Sequence, residues 1–167
     1  MNTITEPSVQ HEFYVDLQLK SWTTHVNRIT QLIGSLSNDA LAKEIAPGKN
    51  TGTYILGHLV AVNDGMLKLM GLGASLYPHY ADPFITSPDK SGKQFPPVEE
   101  LRSAWTKVND TLMTSFQSMR PSDWLDRHTS VSPEDFAKEP HRNKLNIVIS
   151  RTTHLAYHLG QLVLLKS

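Results

Sequence analysis

Apolar side chains recur at steps of three and four residues through four stretches of the chain, which three stretches crowded with proline, glycine and polar residues separate. The first apolar stripe runs from about Gln10 to Leu36 through Phe13, Leu17, Leu19, Trp22, Val26, Ile29, Leu32, Ile33 and Leu36. "SNDALAKEIAPGKN" breaks it at Pro47 and Gly48. The second opens behind Asn50 or Thr51, either of which suits a helix N-cap, and carries Ile55, His58, Leu59, Val62, Met66 and Leu69 on one face. Gly71 and Gly73 are its stop signals. The third starts at Pro97, where a proline costs nothing, has Glu99 and Glu100 at its positive end, and stops at Pro121. The fourth runs from about Leu145 to the end of the chain, with a further helical turn expected near Pro121–Leu125. No segment alternates apolar and polar residues as a strand would.

The fold class that follows is all-α: a single domain over 1–167, built as a four-helix bundle with long inter-helix connections and a flexible segment at 1–9. Helices of ~22–26 residues would be ~33–39 Å long. A connection of ~23 residues reaches ~75 Å when extended, enough to travel the length of such a bundle and let two successive helices run parallel. The loop "LYPHYADPF" would cover one end, with His79 and Tyr80 more readily solvated than lining an entrance.

Charge removes several classes of partner. Lys plus Arg and Asp plus Glu both number 16, so there is no basic footprint for nucleic acid or for an anionic membrane. The absence of cysteine removes disulfides, thiolate metal sites and cysteine nucleophiles, and agrees with a cytoplasmic protein. No run approaches the ~18 apolar residues of a membrane span, and the first residues lack the basic flank and apolar run of a signal peptide.

The chemistry lies in histidine. "RTTHLAYHLGQLVLL" puts His154 and His158 four residues apart, on one face of the fourth helix together with Arg151 and Gln161. Eight histidines in 167 residues make one such pair by accident unsurprising. His58, on the apolar face of the second helix, adds a third imidazole. Should the two helices be neighbours, three neutral nitrogens meet inside the bundle and leave coordination positions open, the pattern of a catalytic rather than a structural metal site. Water molecules and carbonyls would satisfy buried imidazoles equally well, so the pattern alone leaves both possibilities standing. "HLAYH" lacks the glutamate of a zinc protease, and no nucleophile elbow, phosphate loop or Glu-x-x-His appears. Tyr54 and Asn63 are expected in packing and at the surface respectively, and His25, His128 and His141 carry no assigned role.

"GHLVAVND" on the second helix and the terminal "HLAYHLGQLVLL" resemble the DinB-like (DinB/YfiT-like) superfamily of metalloenzymes, over roughly residues 10–167. The resemblance implies an up-down-down-up order of the four helices and frequent homodimerisation. It also implies one divalent ion, zinc or nickel with iron or manganese as further options, held by His58, His154 and His158. The expected function is a metal-dependent enzyme that activates water or an external low-molecular-weight thiol, as a hydrolase or thiol S-transferase acting on a small molecule. Gln161 and Arg151 are candidates for substrate binding or for orienting the ligands. The competing expectation is a non-catalytic bundle that binds a small ligand or has a structural role.

Overall fold

The structure, a computed structural model, describes residues 7–166. It is all-α, and among the described residues the only extended pairings are two isolated bridges, Glu44 with Thr51 and Arg127 with Asn143. Four helices are long: α1 (Pro7–Ser35), α3 (Gly52–Leu69), α4 (Val98–Ser118) and α6 (Lys144–Leu162). Two are short, α2 (Asn38–Leu41) and α5 (Pro133–Lys138). Of the segment 1–9 expected to be flexible, residues 1–6 lie outside the described residues, and 7–9 already belong to α1.

The ends of the helices follow local chemistry. Thr51 caps α3 by accepting from Tyr54 N at 3.2 Å, and Asn143 caps α6 through Asn146 N at 2.9 Å. Gly71, at φ 70°, ends α3 in a left-handed turn in which Leu72 N donates to Leu67 O at 2.8 Å and Gly71 N to Lys68 O at 3.1 Å. The last helix stops at Leu162 and tightens into a 3-10 turn over Val163–Lys166.

Helix α3 is the centre of the molecule. It packs on α4 and α6 while the connection that follows it folds back along its side, and α1 lies against α6 and α4. Most of its residues are buried, which is why its apolar positions nearly encircle it rather than forming one stripe. Asn63 is fully buried, correcting its expected surface position: its amide donates to Asn109 Oδ1 on α4 at 2.9 Å, and Asn109 donates to Trp105 O at 2.7 Å. Arg102 of α4 donates to the carbonyls of Ile33 and Leu36 (2.8 Å for Leu36), tying α4 to the end of α1.

Helix α1 departs from its expected stripe. Trp22, Ile29, Leu32 and Ile33 are buried, but Phe13 and Leu17 are 60% and 48% exposed and Val15 is turned inward instead. At 29 residues, or ~43 Å, α1 outruns the helices of 18–21 residues beside it, so its first turns have less to pack against.

The connection between α3 and α4 is not a solvated cover. A 3-10 turn over Pro78–Tyr80 leads into a π-type turn over Asp82–Thr86, and both Tyr80 and Phe84 are fully buried. Tyr80 Oη donates to Glu100 Oε1 on α4 at 2.7 Å, while His79 is exposed. Asp64 of α3 holds the start of this connection, accepting from the amides of Leu76 (2.7 Å) and Tyr77 (2.8 Å).

Candidate metal centre

The packing of α3 on α6 brings His58, His154 and His158 together. His58 Nε2 and His158 Nε2 each lie 3.1 Å from His154 Nε2, and the three rings form the one group of metal-ligating side chains of this kind among the described residues. His154 and His158 meet edge to face at 4.5 Å between centroids, as expected one helical turn apart. His158 is buried, and the other two rings are half-buried.

What the outer ring nitrogens do sets the character of the site. His58 Nδ1 lies 2.7 Å from the carbonyl oxygen of Phe84, which can only accept. The proton of that ring therefore sits on Nδ1, and Nε2 carries a bare lone pair. His158 Nδ1 donates in the same way to Gln161 Oε1 at 2.7 Å. The Gln161 amide nitrogen donates to Tyr157 Oη at 3.1 Å, which keeps the amide oxygen toward the ring. Two lone pairs thus point at His154 Nε2. One ring proton on His154 satisfies at most one of them, and His154 Nδ1 is itself buried without a partner. Three imidazoles so arranged are poorly satisfied by one another. A cation among the three Nε2 atoms fits the donor set, since nitrogens ~2.0–2.1 Å from a common ion lie at most ~4.2 Å apart.

Electrostatics lead the same way. Burial, together with the neighbouring His158, His58 and Arg151, pushes His154 down to about 3. Burial also lowers His158, against an opposing effect of its bond to Gln161. Both rings are therefore neutral at pH 7, the form in which imidazole binds metals.

The connection after α3 supplies more than a cover. Gly57 precedes His58, and a Cβ there would lie 2.2 Å from Phe84 Cε1, so only glycine lets the Phe84 ring seat and its carbonyl reach His58. Tyr54 stacks on His58 at 6.3 Å and donates to Ser87 O at 2.9 Å, clasping the same connection. The Phe84 carbonyl had no signature in sequence, because a backbone oxygen 26 residues away leaves none.

A profile of the DinB superfamily matches residues 21–162, from α1 to the last residue of α6. The chain belongs to the DinB superfamily. No curated protein matches the chain. DinB-like proteins are metal-binding, and the matched span includes all three imidazoles.

Beside the DinB-type histidines lies a cavity of about 530 Å³, lined by His58 and His154, by Arg151 and Lys68, and by Thr129 and Ser130 of the connection that precedes α6. Thr129 fastens that connection to the end of α3, its amide donating to Leu69 O at 2.9 Å. His128, given no role from sequence, is buried next to it with Nδ1 3.0 Å from Ser130 Oγ, and burial lowers its pKa. Among the sequence candidates, Gln161 touches His158 and Arg151 lines the cavity, whereas His79 and Tyr80 do neither.

Proposed function

We propose that this protein is a metal-dependent enzyme in which His58, His154 and His158 hold one divalent ion, zinc or nickel before iron or manganese. The observation that carries the reading is the convergence of three Nε2 atoms, two of them stripped of protons by acceptors at Nδ1. Bound there, the ion would supply Lewis acidity, lowering the pKa of a water or an external thiol toward neutrality. The chain supplies the rest. The Phe84 carbonyl and the Gln161 amide orient two ligand rings and raise their basicity. The cavity beside the rings admits a small molecule, and with no cysteine in the chain any thiol comes from outside. The reaction is hydrolysis or thiol S-transfer.

The four long helices follow the up-down-down-up order in this reading, which the long connections on either side of α4 allow. The protein acts in the cytoplasm as a homodimer and has no nucleic-acid or membrane partner. Support comes from its zero net charge, from exposed Phe13, Tyr14, Leu17 and Ile149, and from the lack, among the described residues, of a helix long and apolar enough to cross a membrane.

Elemental analysis of protein purified without nickel resin tests the centre. About one ion per chain is expected, with its loss in a His58→Ala/His158→Ala variant that still folds. Wild-type protein that takes up none of zinc, nickel, iron or manganese overturns the reading. Thiol-conjugation and ester or amide hydrolysis assays, each with and without chelation, separate the two reactions.

A further inference from the structure

The cavity beside the three imidazoles has cationic side chains and no acid. Lys68 and Arg151 line it, and no aspartate or glutamate among the described residues does. Arg151 is the unusual member. It is half-buried on α6, one turn before His154, and among the described residues neither an ion pair nor a hydrogen bond reaches its guanidinium. Its Nε is buried without an acceptor, as is Nδ1 of His154 three residues on, while its terminal nitrogens remain accessible. Arginine keeps its charge in any folded protein, so a guanidinium drawn partly out of water needs an anion. None of the described residues provides one.

The remaining walls narrow the chemistry. Ala61, Val62, Leu69 and Ile85 make the rest of the lining largely apolar, and a volume of about 530 Å³ suits a small organic molecule. A guanidinium fork matches a carboxylate with two parallel hydrogen bonds. We propose that this cavity takes a small carboxylic acid with an apolar body, its carboxylate on Arg151 and its body against Val62, Leu69 and Ile85. The assignment names a substrate class for the metal-dependent reading and rests on it for the reaction. The recognition step itself needs only the chain.

The test compares 4-phenylbutyrate with its neutral amide, 4-phenylbutanamide, followed by ¹H–¹⁵N NMR of the full-length protein, metal-free and zinc-loaded. The butyrate is expected to bind saturably in both forms, shifting the Arg151 Nε–H signal and the amides of residues 61–69, with the amide binding roughly tenfold more weakly. Arg151→Gln is expected to bring the butyrate down to the affinity of the amide and to leave zinc stoichiometry unchanged. Equal binding of the two probes by wild-type protein overturns the proposal, and that comparison does not depend on the variant folding. So does butyrate binding that needs zinc and ignores Arg151→Gln, which would put the carboxylate on the ion. Failure of the metal reading registers separately, as absence of zinc uptake by wild-type protein, while selective butyrate binding in the metal-free form still supports the cavity assignment.

Discussion

Gly57 leaves room for a hydrogen atom against the Phe84 ring and for nothing larger. A methyl group there must displace the ring, and with it the carbonyl that holds His58 Nδ1. Gly57→Ala is therefore expected to cost about 1–3 kcal/mol by overpacking. It should also weaken metal affinity roughly 10–100-fold through loss of the orienting acceptor. Urea unfolding and chelator competition measure the two effects separately. His154 supports a second prediction, for metal-free protein. Its pKa falls from 6.5 to about 3 on folding, so below pH 6.5 the unfolded chain takes up a proton that the folded chain refuses. Stability from this group is complete above pH 6.5, declines as the pH falls toward 3 and then levels off. Urea midpoints at pH 7.5, 6 and 5 should fall for wild-type protein and fall less for His154→Gln. Equal slopes would show that His154 protonates as freely in the folded chain as in the unfolded one. The three histidines were legible from spacing and motif, but the acceptors that set their tautomers were only half so. Gln161 lies on the His158 face at helical spacing, whereas Phe84 contributes a backbone atom that no side-chain pattern marks.

Among the helices, periodicity placed the apolar faces well wherever a helix borders the core on one side. It misjudged Asn63, because α3 is enclosed on nearly all sides and a polar residue on its far face meets α4 rather than water. It also misjudged Phe13 and Leu17, since a regular stripe does not reveal that α1 outruns its neighbours. Arg102 offers a clean test of the helix framework away from the three histidines. Its guanidinium serves the free carbonyls at the end of α1, and hydrogen bonds from a charged donor contribute about 1.5–3 kcal/mol. Arg102→Ala should lower the urea midpoint by a free energy of that order, with metal stoichiometry unchanged. A variant that also lost the ion would mean that the α1–α4 tie governs the centre.

In the assembled molecule, the three imidazoles come from helices that are remote in sequence, so an ion held among them would couple its binding to folding. His58 stands 96 residues from His154, and only the packing of α3 on α6 closes that gap. An ion that binds the folded chain alone should stabilise it by about 2.7 kcal/mol at a free concentration 100 times its dissociation constant. Thermal unfolding with zinc and with chelator should show that rise in wild-type protein and none in His58→Ala. The starts of α3, α4 and α6, the all-α class and the identity of the three imidazoles were already decided along the chain, because capping, periodicity and ligand chemistry act over a few residues. The meeting of those imidazoles, the folding of Phe84 onto Gly57 and the placing of Arg151 with no counter-charge among the described residues were decided by packing. Each depends on which distant surfaces come into contact, and no local preference encodes that.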